Sequence, residues 1–517
     1  MRITIIAIIC LCSKITLGQI EFNIQIPEKK IIISKHIYGH FAEHLGRCIY
    51  DGIFVGEKSK IQNINGVRTD IIKALKDLKI PNLRWPGGCF ADYYHWKDGI
   101  GPKKERPSIV NISWGLETED NSFGTHDFLN LCEELETEPF ISVNIGTGSV
   151  KEVMDWIQYT KHDGNSPMAD LRRKNGRELP WDVKFWGVGN ETWGCGGMMT
   201  PEFYANKYRL YSSFMTNRQN HNKIYRIAAG AYGENYNWTE ILLKNIPKKL
   251  IEAISLHYYT TASGVIGAEK NPPGSAINFS EKDYFMTIKS AIKIEEIIKN
   301  HISIMDKYDK EQKIDLVVDE WGSWYGEEIG TKPRFLFQQN TIRDAMIAGA
   351  TLNIFNNHAE RIKIANLAQA VNVLQALILT KDEKIVLTPT YHVFKLYSIH
   401  QDAELLNLKF DSPTYKYKSE SIKAINASAS RDKDGNYNVS LVNLDNKNSH
   451  EIFFNLSKHH IRNISIDIIT SKKLNDHNSF DKNDLIKPYS FKDFVFSNSN
   501  LSFKIPPHSL MLIKLIK

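Results

Sequence analysis

Short apolar runs alternate with amphipathic stretches along most of this chain. From His36 to about residue 400 the runs occupy 37–41, 80–85, 139–145, 183–188, 227–231, 251–256, 314–318 and 350–355. Runs of this length, rich in β-branched and aromatic residues and bounded by glycine, predict buried parallel strands. Between them apolar residues recur at helical spacing. Ile71, Ile72, Leu75 and Leu78 share one face of a helix over 69–78, 127–135 starts on an aspartate, and Thr200-Pro201-Glu202 opens a helix over 201–217. The spacing predicts further helices over 238–243, 284–308 and 341–347, and Thr388-Pro389-Thr390 opens a last one through Tyr397. Eight strand–helix units predict a (β/α)8 TIM barrel, an α/β fold.

The pattern changes after about residue 401. Segments 421–427, 436–442, 451–455, 464–469, 501–505 and 510–516 are short and strand-like, with turns at Asp434-Gly435-Asn436 and Pro506-Pro507-His508. They predict an antiparallel β-sandwich, jelly-roll-like in character. Residues 20–33 also alternate and are expected to complete that sheet. The expected division is therefore a leader over 1–18, an N-terminal strand over 19–35, a barrel over 36–400 and a β-sandwich over 401–517.

Composition narrows the function classes. A hydrophobic share of 42% and a charged share of 24% over 517 residues are ordinary for a globular protein of more than one domain. The net charge of +6 is small for this length, and no dense basic tract interleaved with aromatics occurs, which argues against nucleic acid as a partner. Arg2, the apolar stretch 3–12 and Thr16-Leu17-Gly18 together resemble a secretory signal, so the chain is expected to be secreted or periplasmic, with cleavage near Gly18. No stretch is long and apolar enough to span a membrane. Beyond that leader four cysteines remain, Cys48, Cys89, Cys132 and Cys195, without a C-x-x-C pair. Zinc-ribbon and dithiol sites are thereby disfavoured, while one or two disulfides stay open.

Two of the apolar runs end in carboxylates. The first closes on Gly189-Asn190-Glu191 and the second on Asp319-Glu320-Trp321-Gly322. Carboxylates at the C-terminal ends of barrel strands face one shared mouth, where such barrels carry their chemistry. A pair of glutamates there suits glycoside hydrolysis: one holds a proton near neutrality and the other stays ionised. Trp85, Trp96, Trp186, Trp193, Trp321 and Trp324 lie near strand ends and offer faces for a sugar ring.

The ordered set 37–47 (IYGHFAEHLGR), Arg84-Trp85-Pro86-Gly87-Gly88, 98–102 (DGIGP), 187–191 (GVGNE), 255–259 (SLHYY), Asp319-Glu320-Trp321-Gly322 and Asn372-Val373-Leu374 resembles glycoside hydrolase family 51, the α-L-arabinofuranosidases of the retaining clan A. The resemblance implies a retaining, exo-acting enzyme that removes arabinofuranose from arabinan, arabinoxylan or their oligosaccharides, without metal or organic cofactor. It implies Glu191 as general acid/base and Glu320 as nucleophile. Glu43 would bind furanose hydroxyls, Asn190 the 2-hydroxyl, and Gln369 the region of the primary hydroxyl. Tyr259 would orient the nucleophile, Arg84 would fix the carboxylates from below, and Trp321 would line the pocket. Family members often form oligomers, commonly hexamers. Where some members carry an asparagine that touches the sugar, this chain has Cys89, as a subgroup of the family does. A thiol is a weak donor and acceptor, so Asp92, three residues on, is a candidate to compensate.

Three other functions fit parts of the pattern. His40-Phe41-Ala42-Glu43-His44 matches H-x-x-E-H, the inverted zinc-protease motif, but it follows a strand-like run rather than lying on a helix. A carbohydrate-binding protein would keep the tryptophans without needing the glutamates. A β-glycosidase or endoglucanase could use the same barrel with another sugar.

Overall fold

The computed structural model describes residues 19–216, 223–263 and 274–517; the expected leader, residues 1–18, lies outside them. Eight parallel strands close a barrel. In chain order they are Gly39–Phe41, Asn82–Trp85, Glu138–Val143, Phe185–Val188, Tyr225–Tyr232, Ala253–Thr260, Asp315–Ser323 and Ile362–Ala368. The eighth pairs with the first through Asn366–Gly39, Leu367–His40 and Ala368–Phe41, so the barrel leaves no free edge. Phe140, Phe185, Ile227, Ala253, Val317 and Ile364 form a buried apolar plug contributed by six strands, and the Arg84 guanidinium sits 5.8 Å from the Phe140 ring. A filled barrel of this kind confines chemistry to its mouth.

Seven of the eight expected strands fall where the apolar runs lie. The eighth does not. Segment 350–355 belongs to the helix Ile342–Asn357, and the closing strand is Ile362–Ala368. A short apolar run does not distinguish a buried strand from a buried helix. The helix is apolar nearly all round because it is covered on both sides: it packs on the seventh strand inside and on the C-terminal sheet outside. The true eighth strand was disguised by Lys363 and Asn366, which break its apolar run. The helix expected over 284–308 is two, Glu281–Ile292 and Ile294–Tyr308. Helices Val150–Lys161 and Pro167–Lys174 were not anticipated.

The second unit is a ten-stranded sheet. Strand Ile20–Gln25 lies inside it, antiparallel to Glu404–Lys409 and parallel to His450–Asn455. The remaining pairs are antiparallel, with Ser509–Ile516 between Tyr437–Asn443 and Asn463–Ile469. Among the described residues no helix is long and apolar enough to cross a membrane.

Polar groups lock the sheet onto the helix Ile342–Asn357. Ser428 Oγ and Ser440 Oγ donate to Asn353 Oδ1 at 2.9 and 2.6 Å, Asn353 Nδ2 donates to Asn426 Oδ1 at 2.9 Å, and Asn356 Nδ2 donates to Ser428 Oγ at 3.1 Å. Asn353→Ala removes one acceptor shared by two buried hydroxyls. Leaving such groups unsatisfied costs about 1–3 kcal/mol. The expected outcome is a lower urea midpoint at unchanged m-value, with turnover per folded molecule unaltered, because the helix is on the far side of the seventh strand from the mouth.

Candidate active site

Inward positions alternate along each strand, so residues two apart share the barrel interior. Gly39, Phe41 and then Glu43 follow this rule on the first unit, Asn82 and Arg84 on the second, and Ser255, His257 and Tyr259 on the sixth. The seventh strand departs from it. Ser255 pairs with Val317 and His257 with Glu320, so three residues on the seventh strand match two on the sixth. This bulge brings both Asp319 and Glu320 inward, although they are consecutive. Glu191 follows the fourth strand in a left-handed turn, with φ of +41° and Gly189 at +84° before it.

Arg84 ties these ends together from below. Its Nη1 donates to Glu320 Oε1 at 2.8 Å, its Nη2 to Asn190 Oδ1 at 2.6 Å and its Nε to Ser142 Oγ at 3.2 Å, with Asp319 Oδ2 3.6 Å from Nε. The guanidinium also lies 4.6 Å over the Phe41 ring. The other oxygen of Glu320 accepts from Tyr259 Oη at 2.9 Å. Gly87 and Gly88 are required here by close approach. A Cβ on Gly88 would lie 2.8 Å from Glu320 Oε1, and one on Gly87 would lie 2.6 Å from Glu43 Cγ.

His257 bridges the acidic groups. Nδ1 is 2.9 Å from Glu191 Oε1 and 3.5 Å from Glu320 Oε2, while Nε2 is 3.2 Å from Asp319 Oδ1. Burial opposes its charge, but Glu320 and Asp319 outweigh this and raise its pKa to about 10. The raised pKa favours the imidazolium, with Nδ1 in hydrogen-bond contact with Glu191 and Nε2 in ion-pair range of Asp319. Burial raises the pKa of Glu191, and the charge of Glu320 adds to the rise against the opposing hydrogen bond from His257. Burial also pushes Asp319 up, yet Arg84 and His257 more than reverse it and hold the group low.

Glu43 forms a second acidic subsite. Oε1 accepts from Phe90 N at 3.1 Å and Trp114 Nε1 at 2.9 Å, and Oε2 from Gln369 Nε2 at 3.1 Å. Burial and the charge of Glu320 raise its pKa to about 7 despite these three donors. Gln369 Oε1 is buried without a hydrogen-bond partner among the described residues.

The structure thus brings Glu43, Arg84, Asn190, Glu191, Tyr259, Glu320 and Gln369 together. Two expected site residues need correction. Trp321 is 1% exposed and points outward, against Phe355 and Phe394 of the helix layer. It follows inward-facing Glu320 on the same strand and so faces the other way, as alternation requires. Trp85, Trp96 and Trp186 are likewise core residues, which leaves Trp193, Trp324 and Trp114 as the partly exposed tryptophans near the mouth. Cys89 carries no thiol. It is bonded to Cys195, four residues after Glu191, and Cys195 Sγ lies 3.6 Å from Glu191 Oε2. Both sulfurs are spent on each other, so neither has a proton to donate. Cys48 and Cys132 are free and buried.

His40, Glu43 and His44 do not form a zinc site. His40 lies in strand Gly39–Phe41 with its ring against Phe394. His44 has both nitrogens engaged, Nε2 accepting from Trp85 Nε1 at 3.2 Å and Nδ1 meeting Glu119 Oε2 at 3.1 Å. Glu191, His257 and Glu320 place one ligand atom each within 4.8 Å of one another, with His257 Nδ1 lying between the two carboxylates. Sequence patterning missed His257, Asp319, Trp114 and Cys195. His257 was legible in principle, two residues before Tyr259 on an alternating strand.

Comparison with known proteins decides the family. Residues 74–275 match the family model described as alpha-L-arabinofuranosidase 1 domain, and 319–509 the one described as alpha-L-arabinofuranosidase C-terminal domain. A Bacteroides ovatus protein named intracellular exo-alpha-L-arabinofuranosidase is 48% identical over 95% of both chains. The chain belongs to glycoside hydrolase family 51, the α-L-arabinofuranosidases. The family 51 structure from Xanthomonas axonopodis pv. citri superposes with a TM-score of 0.93 at 40% identity, covering 96% of this chain and all of that one. An α-L-arabinofuranosidase from Thermotoga maritima, solved as an arabinose complex, gives 0.83 at 30% identity over 96% and 99%. This chain is accordingly a glycoside hydrolase with arabinofuranosidase activity. The expectation of a secreted or periplasmic protein is corrected by the same comparison, because the Bacteroides ovatus relative is named as intracellular. Its basis was an apolar start of about ten residues after Arg2, a compositional pattern only.

His257 offers a test within this family 51 site. His257→Phe removes a cation that favours the ionised form of Glu191, so the Glu191 pKa rises further. The expected result is a loss of about 10²–10⁴-fold in kcat/KM, with the alkaline limb of the pH–rate profile moved to higher pH. An alkaline limb moved to lower pH would contradict the bridging role.

Proposed function

We propose that this family 51 enzyme is a retaining, exo-acting α-L-arabinofuranosidase. Its substrates would be terminal arabinofuranose units of arabinan, arabinoxylan or derived oligosaccharides. The observation that carries the retaining mechanism is the spacing of the two glutamates. Ligand oxygens of Glu191 and Glu320 lie within 4.8 Å of each other. Retaining glycosidases hold their carboxyl groups about 5–5.5 Å apart, whereas inverting ones need about 6.5–9.5 Å to admit a water. The name of the Bacteroides ovatus relative supports the exo mode.

The roles follow from environment. Glu320 is gripped by Arg84 and Tyr259 as an ionised nucleophile. It attacks C1 of the furanose as the C1–O bond breaks, and Glu191 gives its proton to the departing oxygen. A covalent arabinosyl-enzyme forms. Glu191, now a carboxylate, takes a proton from water as that water attacks C1, which releases arabinose and restores both groups. Arg84 holds the Asn190 carbonyl, which directs the Asn190 amide toward the sugar side. Glu43 and the unpaired Gln369 Oε1 would bind hydroxyls of the furanose.

Hydrolysis of 4-nitrophenyl α-L-arabinofuranoside beside the β-xyloside and β-glucoside tests the sugar. Fast, chelator-insensitive release from the arabinoside alone is expected; release only from a β-glycoside would overturn the assignment. Glu191→Ala should lose about 10²–10⁴-fold and regain part of it with added azide, which needs no general base. Glu320→Ala should stay near zero on ordinary substrates. The pH dependence has a defined sign. Glu191 acts as an acid only while protonated, so kcat/KM falls as pH rises through its raised pKa. That alkaline limb should vanish in Glu191→Ala with a leaving group that needs no proton.

A further inference from the structure

Glu191 sits on a left-handed turn that a short strand end does not hold by itself. What grips it is a neighbouring turn, Cys89–Tyr93, which follows the second barrel strand. Asp92, 3% exposed, lies in that turn. Its Oδ1 accepts from Ile145 N at 2.9 Å and Gly146 N at 3.2 Å, at the end of the third strand. Its Oδ2 accepts from Asn190 N at 2.8 Å, at the end of the fourth. Its backbone carbonyl accepts from Thr147 N at 3.0 Å. No ion pair to Asp92 is formed among the described residues, so the carboxylate is served by backbone N–H groups. The same turn reaches the loop a second time through the Cys89–Cys195 bond. The loop also presses back: a Cβ on Gly196 would lie 1.9 Å from Asn190 O and 2.7 Å from Asp92 Oδ2.

We propose that Asp92 is the positioning residue of the acid/base, fixing the Asn190–Glu191 turn to the second and third strand ends through the Asn190 amide. It touches neither substrate nor reacting atoms. This rests on the assignment of Glu191 as acid/base, which the test therefore examines in parallel. A carboxylate is needed because both oxygens accept at once. In Asp92→Asn, an isosteric change, one oxygen still serves Ile145 and Gly146. The new NH2 then faces the Asn190 N–H, and that one bond is lost. The turn is released while the third strand end stays held.

A displaced acid has a signature that general loosening lacks. It matters where the leaving group needs a proton and little where it does not. Wild type, Asp92→Asn and Glu191→Ala are compared on 2,4-dinitrophenyl α-L-arabinofuranoside and on α-1,5-arabinobiose, with and without azide. For Asp92→Asn the expected loss in kcat/KM is about 10²-fold on arabinobiose, under a tenth of that on the dinitrophenyl substrate, with azide accelerating the latter. Equal losses on both substrates and no azide effect would overturn the proposal. Gly196→Ala pushes the same turn from its other side and should give the same substrate dependence, which covers the case of an Asp92 variant that does not fold. Equal losses in Glu191→Ala itself would instead overturn the acid/base assignment, and this proposal with it.

Discussion

Charge balance at the barrel mouth is the constraint on which the site depends. Glu43, Glu191, Asp319 and Glu320 converge there, and among the described residues Arg84 and His257 are the cations that oppose them. Fully ionised, four carboxylates against two cations would leave two uncompensated negative charges in a largely buried space, a costly arrangement. The structure relieves this by position. Asp319 and Glu320 lie against Arg84. Glu191 and Glu43 lie beyond its direct reach, and burial raises both of their pKa values. The raised pair are the two that Arg84 does not touch, and Glu191 stays raised even though His257 Nδ1 lies 2.9 Å from it. One of these is Glu191, the proposed proton donor. The proposed division of labour between Glu191 and Glu320 accords with burial of the one and the Arg84 contact of the other.

That placement depends on strand phasing. A regular seventh strand would turn either Asp319 or Glu320 toward the helix layer. The bulge between Val317 and Glu320 admits both, so Asp319 holds one edge of His257 while Glu320 takes the reacting position. The next residue, Trp321, is then directed outward, where it packs on Phe355 and Phe394. One irregularity sets Glu320, its neighbour and part of the core behind it.

Much of this was legible in the sequence. Apolar runs located seven strands, and their ends located both glutamates. What failed did so for physical reasons. The segment 350–355 read as a strand because a helix covered on both sides has no polar face to betray it. Trp321 was placed in the pocket with the other strand-end tryptophans, although as the neighbour of inward-facing Glu320 it must face outward by alternation. The Cys89–Cys195 bond joins residues 106 positions apart, a separation over which spacing carries no pairing information. His257 was hidden for another reason: a lone histidine in an apolar strand is ordinary until the carboxylates around it are known.

The two units of the fold are also joined in a way that bears on the site. Strand Ile20–Gln25 precedes the barrel in sequence yet lies in the sheet that follows it, so the barrel's chain is anchored in that sheet at both ends. Helix Ile342–Asn357 is a barrel helix by position and a core helix by burial, because the sheet supplies its outer cover. Stripped of that cover, its apolar outer face and the buried Asn353 would meet water. The helix packs directly behind the seventh strand, which carries Asp319 and Glu320. Held between strand and sheet, it covers the outer side of the bulged strand. The sheet thus completes the cover of the helix that backs the strand from which Glu320 projects.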